Sequence, residues 1–252
     1  MVPNSLGPAE LIIKYGTPRQ KSSYLPRLAS GELVPCFGLT GPWNGSDATG
    51  SIDEGELLEN GKIRITLNKR YITLAPVANL FGIAFNLKGH GITVALVERD
   101  HPGLVQDTYH NPLNAGFPNG TIKGTIDIDK SQIIGGEENI GNGWKMLMEC
   151  LSAGRGVSLP ATANASSKVA SFGIINYIKA REQFKMPLAN MQAIQEKINN
   201  IIFHTIIIQS SISLTNDILD SGKSPAVISA IMKQQCTERG RIVLNEAMDI
   251  HA

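Results

Sequence analysis

The chain has 252 residues and a mass of 27.1 kDa, which is enough for one large domain or two smaller ones with a real core. Its net charge of +1 excludes a strong electrostatic attraction to nucleic acid or an anionic membrane. The three cysteines (Cys36, Cys150 and Cys236) are widely spaced, which is typical of free thiols in a reducing compartment. Without a signal peptide or a long apolar run, the sequence predicts a cytoplasmic protein and leaves membrane association of the full-length protein open.

The first part of the chain, residues 1–34, has a helical pattern. Leu11, Ile12 and Tyr15 fall on one stripe, and Gly16-Thr17-Pro18 predicts a turn before a second short helix. We interpret this part as the end of an N-terminal helical domain.

Residues 35–136 are rich in glycine, proline and β-branched residues and are predicted to form a β domain. Alternation predicts a strand over residues 62–67, and further strands are expected at 81–85, 92–97 and 121–128. Turns are predicted at Asn60-Gly61, at residues 88–91 and at Asn119-Gly120.

Residues 137–252 are predicted to be the first part of a C-terminal helical domain. A helix is expected from Val157 to Glu182, and a long amphipathic helix is marked by isoleucines between residues 194 and 212. Ser224 and Pro225 suit the N-cap and first position of a last helix, which should end near Met248. The fold class is therefore α+β: partial N-terminal helices, a central β-barrel or sandwich, and a truncated antiparallel helical bundle.

Two short segments carry the most chemistry, Leu39-Thr40-Gly41-Pro42-Trp43-Asn44-Gly45-Ser46-Asp47 and Asn68-Lys69-Arg70-Tyr71-Ile72-Thr73. Thr40 and Thr73 offer hydroxyl donors, and Tyr71 could cover one face of a flat ring. Gly45 and Ser46 suit a pyrophosphate, because a residue without Cβ lets the backbone approach closely. The mixture favours a flavin dinucleotide; the alternative is a plain turn cluster beside a plain strand.

Together the two segments resemble the flavin-binding signature of acyl-CoA dehydrogenases, whose usual forms are a threonine before E-P-x-x-G-S-D and a W-I-T tripeptide. The resemblance covers the whole chain and is strongest to the large bacterial fatty-acid-oxidation members, through residues 68–76 and 152–156. It implies FAD as cofactor, with Leu39 and Thr40 at the flavin ring and Thr73 facing N5. Gly45 and Ser46 would serve the pyrophosphate.

The chain also departs from that signature. Gly41 and Trp43 stand where the family has glutamate and a small residue, and Tyr71 replaces tryptophan. Tyrosine can still stack on a ring, so the change at Tyr71 is mild. Trp43 leaves the acyl-chain and partner contacts open.

The resemblance extends into the helical part. It implies that Arg181 and Phe184, an R-x-x-F segment, reach the FAD of a neighbouring subunit, and that Gln192 makes a polar contact to the cofactor. Arg155 corresponds to an arginine near the acyl-CoA thioester, and Gly120 falls where the family contacts the CoA nucleotide. The alternatives are a helix-end cation at Arg181, a solvated charge at Arg155 and a hairpin turn at Asn119-Gly120.

Other polar residues are given no role. Lys69-Arg70 is interpreted as a solvated charge pair, and the five histidines show no metal-ligand spacing, so no metal site is predicted.

The family's reaction requires a carboxylate that removes the α-proton of an acyl-CoA. The resemblance places that glutamate beyond Ala252, or, in a minority of members, at the position of Gly154. Glu149 and Glu196 show no sign of a catalytic role. We therefore expect no catalytic base in this chain, which is interpreted as an internal fragment and is expected to be inactive alone.

The resemblance implies that the parent protein is an FAD-dependent oxidoreductase of fatty-acid β-oxidation. It would convert acyl-CoA to trans-2-enoyl-CoA, pass electrons to an electron-transferring flavoprotein, and form a homo-oligomer. Two alternatives remain at this point. One is an acyl-CoA oxidase or flavin monooxygenase of the same fold, and the other is a non-catalytic module that binds CoA esters or a partner.

Overall fold

The computed structural model describes residues 7–50, 52–114, 116, 118–223 and 226–252. They fall into two compact units, residues 1–150 and 151–252. The division into three domains proposed above stays a prediction. The helices are α1 (Gly7–Tyr15), α2 (Pro18–Ser30), α3 (Gly143–Ala153), α4 (Leu159–Ala180), α5 (Gln192–Asp220) and α6 (Ala226–His251). The strands are β1 (Pro35–Gly38), β2 (Glu54–Leu57), β3 (Ile63–Thr73), β4 (Leu80–Leu87), β5 (Gly91–Glu98), β6 (Val105–His110), β7 (Asn119–Ile128), β8 (Glu182–Gln183) and β9 (Met186–Pro187).

The start of α2 is fixed by a capping box. The Thr17 hydroxyl accepts a hydrogen bond from the Gln20 N–H, and the Gln20 side chain accepts one from the Thr17 N–H. The buried Gln20 amide also donates to the carbonyls of Ser131 and Ile133. One polar side chain thus begins the helix and ties it to the segment that follows β7.

The larger unit is built on a seven-stranded sheet in the order β1-β4-β2-β3-β7-β6, with β5 on the other edge of β4. Both β1 and β2 pair in parallel with β4, β1 along residues 80–83 and β2 along residues 86–87. One edge of β4 therefore pairs with both β1 and β2, and a gap separates these two partners. The apolar core packs inside the sheet and includes Ile63, Ile65, Phe81, Phe85 and Ile122.

Strand β3 alternates buried and exposed residues along most of its length. Its pairing with β7 shifts between Lys69 and Ile72, which marks a β-bulge. Tyr71, in the bulge, has φ +55°, a conformation that costs a non-glycine residue free energy. The end of β3 is therefore set apart from the regular sheet.

The second unit is a bundle of α4, α5 and α6. One apolar cluster is formed by Ile174, Ile178, Ile201 and Val243 with their neighbours, and another surrounds Ile208 and Cys236. Within the described residues, no helix has the length and apolar character needed to cross a membrane.

The predicted fold class is confirmed: the chain is α+β, with a curled sheet followed by a helical bundle. The predicted strands are present and longer than expected, while the short strands β1, β2, β6, β8 and β9 were not predicted. The helix expected from Val157 to Glu182 is α4, which ends at Ala180. Asn119-Gly120 is no turn, because both residues begin β7 and pair with β3 and β6. Ser224 and Pro225, the expected cap of the last helix, lie outside the described residues.

Candidate functional site

The first predicted segment forms a loop that crosses the gap between β1 and β2. We call it the site loop (residues 39–53, with residue 51 outside the described part). It begins beside the β3 bulge, because the Arg70 N–H donates to the Thr40 carbonyl at 3.0 Å. The two segments singled out in the sequence are thus joined by a direct main-chain hydrogen bond.

The site loop offers donors that are not used by any group in the described part of the chain. Neither the N–H nor the hydroxyl of Thr40, an exposed residue, has a hydrogen-bond partner among the residues the structure describes. A Cβ built on Gly45 would meet nothing within 4 Å, and Ser46 beside it is exposed. Donors next to an open glycine fit a group rich in acceptor atoms, such as a flavin with its diphosphate.

The β3 bulge brings the other predicted residues to the same place. Tyr71 is 59% exposed, and its ring centroid lies 5.1 Å from that of His110. The Thr73 hydroxyl is half-buried and donates to Asn119 Oδ1 at 3.2 Å. Gly120 pairs with Ile72, which is the residue between Tyr71 and Thr73 in the sequence. Thr40, Tyr71, Thr73 and Gly120 therefore belong to one region of the sheet.

The interpretation of Lys69-Arg70 as a solvated pair is wrong for Lys69, although Arg70 is exposed. Lys69 is fully buried, and its Nζ lies 3.2 Å from Asp53 Oδ2. The ammonium also donates to the carbonyls of Leu39 at 3.1 Å and Ala84 at 2.8 Å. Burial lowers the pKa of Lys69, and the Asp53 carboxylate opposes that shift. The alternation of Ile63, Ile65 and Leu67 carries Lys69 to the buried face, a signal that the sequence contains.

Asn44 is a second residue that sequence reasoning passed over. Its side chain is buried; Oδ1 accepts from the Gly41 N–H at 2.6 Å, and Nδ2 donates to the Leu39 carbonyl at 3.1 Å. A weaker bond of 3.3 Å reaches the Ala48 carbonyl. Asn44 thus holds the site loop from within; no periodic pattern in the sequence indicates it.

The predicted residues of the helical unit are described separately. Arg181 ends α4 and is exposed, and Phe184 lies in the turn between β8 and β9 with 86% of its surface exposed. Gln192 begins α5 and donates to Glu196 Oε1 at 3.2 Å. Arg155 lies in the π-helical turn Gly154–Ser158, and its side chain is outside the described part of the structure.

The carboxylates considered above have other partners. Glu149 accepts from Lys14 Nζ at 2.5 Å and from the Tyr15 hydroxyl. The hydrogen bond from Lys14 is the largest cause that lowers the pKa of Glu149, and the one from Tyr15 is the next. A general base near neutral pH needs the opposite shift, so the structure gives Glu149 no such role.

Comparisons of this chain with known proteins found similar sequences and similar structures. A family model described as "Acyl-CoA dehydrogenase, C-terminal domain" matches residues 141–252. Over 250 residues the chain is 31% identical to an acryloyl-CoA reductase (NADH) of Anaerotignum propionicum, covering 96% of this chain and 62% of the reductase.

Two solved structures superpose closely on the chain. Butyryl-CoA dehydrogenase from Megasphaera elsdenii aligns with a TM-score of 0.90 and 24% identity, covering 99% of this chain and 66% of that one. A glutaryl-CoA dehydrogenase from Mycobacterium smegmatis, in complex with FADH2, aligns at 0.87 with 24% identity, over 100% of this chain and 64% of its own. The chain thus spans less than two thirds of each of these proteins.

Proposed function

The chain belongs to the acyl-CoA dehydrogenase family, and from this premise we propose that the full-length protein is an FAD-dependent oxidoreductase acting on acyl-CoA thioesters. The observation that carries the proposal is the set of unused donors on Thr40 and the open space beside Gly45, next to the β3 bulge. The solved relative in complex with FADH2 supports the choice of cofactor.

When bound, FAD supplies two-electron chemistry at the Cα–Cβ bond of the acyl group. The protein supplies binding and orientation: Thr40 donates to the ring, and Thr73 provides a hydroxyl already oriented by Asn119. Gly45 and Ser46 receive the diphosphate, and Tyr71 covers the ring region beside them. Leu39 supports the loop that presents Thr40.

The helical unit offers further candidate contacts to FAD. Arg181 is suited to a diphosphate by its paired N–H groups, and Phe184 is exposed for contact with an adenine. We propose that both, with Gln192, serve the FAD of a second subunit in a homo-oligomer. Arg155 and Gly120 are proposed to contact the acyl-CoA substrate.

We propose α,β-dehydrogenation to the trans-2-enoyl-CoA, within fatty-acid β-oxidation and with an electron-transferring flavoprotein as acceptor. The similarity to acryloyl-CoA reductase favours a second candidate, reduction of an enoyl-CoA by the same flavin site. The two differ in the direction of electron flow. An oxidase or monooxygenase of the same fold would instead pass electrons to oxygen.

One experiment separates these functions. The full-length protein is purified, loaded with FAD and mixed anaerobically with saturated acyl-CoA of several chain lengths, or with NADH and an enoyl-CoA. Bleaching of the flavin band by acyl-CoA, followed by slow reoxidation in air, is the expected result. Fast reoxidation by oxygen would indicate an oxidase. A protein that binds CoA esters but no FAD would refute the proposal and favour the non-catalytic module.

A further inference from the structure

The gap between β1 and β2 leaves a backbone carbonyl of β4 without a strand partner. The two strands pair with the same edge of β4, up to Ile83 and from Asn86 onwards, so the Ala84 carbonyl lies where neither strand pairs. A buried carbonyl without a donor costs free energy. The Lys69 ammonium donates to it at 2.8 Å, so this side chain takes the place of a missing strand partner.

The same ammonium is held by a carboxylate that is largely shielded from solvent. Asp53 lies 3.2 Å from Lys69 Nζ, is 10% exposed, and also accepts a hydrogen bond from the Asn68 N–H at 3.0 Å. The ion pair joins the end of the site loop to β3, two residues before the bulge that carries Tyr71. Its burial makes the geometry of the pair costly to disturb.

The third bond of Lys69 sets the direction of a site donor. Nζ donates to the Leu39 carbonyl at 3.1 Å, and Asn44 Nδ2 donates to the same oxygen at 3.1 Å. The two lone pairs of that oxygen are then engaged. The Leu39 carbonyl and the Thr40 N–H belong to one planar trans peptide, in which they point in opposite directions. Fixing the carbonyl towards buried Lys69 therefore aims the Thr40 N–H away from it.

We propose that Lys69 is a positioning residue of the flavin site: with Asp53 and Asn44 it fixes the Leu39–Thr40 peptide plane and so presents the Thr40 N–H to the cofactor. The inference rests on the proposed function for the identity of that cofactor. Lys69 itself lies behind the loop, where its ammonium contacts Leu39, Ala84 and Asp53. Its role is to provide before binding an orientation that the loop would otherwise have to adopt on binding.

The test uses the full-length protein in its apo form, and FAD as the probe. Lys69→Met leaves Asp53 as an uncompensated buried charge, so loss of stability and loss of positioning are mixed in this variant. The double variant Lys69→Met/Asp53→Asn removes both charges and keeps an acceptor for the Asn68 N–H. Arg64→Met/Asp127→Asn, an exposed pair on β3 and β7, is the matched control.

Each variant is measured for its Tm without FAD and for its FAD Kd by fluorescence titration. We expect the double variant to recover most of the Tm lost in Lys69→Met, while its FAD Kd stays raised by about tenfold or more, the effect of losing a charged hydrogen bond. The control should keep the wild-type Kd. The visible flavin band should lose fine structure in the two Lys69 variants only.

If the wild-type protein binds FAD and the Kd of the double variant is within about twofold of the wild-type value, the positioning role is overturned and the proposed function is not. A wild-type protein that binds no FAD would overturn both this inference and the proposed function. If neither Lys69 variant folds, Asn44→Ala decides, because it removes the second donor to the Leu39 carbonyl and keeps the ion pair; unchanged FAD binding in that variant overturns the inference.

Discussion

The site loop and the β8–β9 hairpin are both proposed to meet FAD, yet they are built in opposite ways. The site loop is fixed from behind by buried Lys69, Asp53 and Asn44. The hairpin has an exposed turn in which both Phe184 and Lys185 have positive φ, at +53° and +64°. Such a type I′ turn favours asparagine and glycine rather than these residues. The site loop is held by side chains packed behind it, whereas the hairpin turn is strained and exposed.

This difference shows what would position each contact to FAD. A loop held by a buried network presents its donors before a ligand arrives, so little ordering remains to be done on binding. A strained, exposed turn persists only because the strands on either side determine it. Substitutions in the two elements test this contrast, and the largest effect is expected at the ion pair behind the site loop.

The buried ion pair should dominate the stability of the larger unit. Lys69→Met is expected to lower the free energy of unfolding by about 3–5 kcal/mol, because it leaves the Asp53 carboxylate buried without its partner. Urea denaturation followed by circular dichroism measures the change. Arg64→Met, which breaks the exposed pair with Asp127, should cost much less; an equal loss in both variants would contradict the contrast.

Two glycines of the site loop should respond differently to the same added methyl group. A Cβ on Gly41 would lie 2.9 Å from Asn44 Oδ1 and 3.0 Å from the Asn68 carbonyl, so Gly41→Ala should cost about 1–2 kcal/mol. Gly45 has nothing within 4 Å, and Gly45→Ala should leave stability within about 0.5 kcal/mol of wild type.

FAD titration adds a second measurement to this pair. Gly45→Ala should weaken FAD binding although it leaves Tm unchanged, since the methyl group would occupy space proposed for the diphosphate. Wild-type affinity in Gly45→Ala would show that the diphosphate lies elsewhere.

The strain in the hairpin should be removable. Lys185→Gly replaces a residue at φ +64° with one that adopts this conformation freely, and we expect a gain of about 1 kcal/mol in stability. Lys185→Ala is the control, because it removes the same charge but keeps Cβ. Equal effects in the two variants, read from Tm, would mean that the turn carries no strain.

The smallest expected effect is a change in how folding stability depends on pH. Burial, followed by the neighbouring Arg239 guanidinium, lowers the pKa of His204 in the helical unit. The unfolded chain then binds more protons as pH falls through about 6.5, so folding stability decreases on acidification through this range. His204→Gln should reduce the slope of Tm against pH between about pH 7 and pH 5. An unchanged slope would assign the acid sensitivity to other groups.

The sequence supported the fold class, because the period-two pattern of β3 and the helical stripes of α4 and α5 are long. Strands β1 (Pro35–Gly38) and β2 (Glu54–Leu57) were missed because both are short. In β2 the buried position is Gly55 and Leu57 is exposed, so no apolar alternation is visible. Thr40 and Thr73 were singled out first for their hydroxyl donors and then by the family resemblance, and the structure places both in one region. Their roles at the flavin stay predictions.

Lys69 shows a different kind of limit. Its position on the buried face follows from the alternation that precedes it, but a lysine is so rarely buried that the charge outweighed the pattern. Only the gap in the pairing of β4, which depends on two strands distant in sequence, explains why an ammonium belongs there. Asn44 was missed for a different reason: its partners Leu39, Gly41 and Ala48 are close in sequence, but their hydrogen bonds to it depend on how the loop folds.

The shared edge of β4 also bears on how this family can vary. The site loop leaves that edge at the end of β1 and returns to it at β2, so the sheet itself holds both ends of the loop. Substitutions at the exposed part of the loop, for example at Trp43, which is 81% exposed, then leave the core untouched. The exposed part of such a loop can change in sequence while the framework beneath it stays constant.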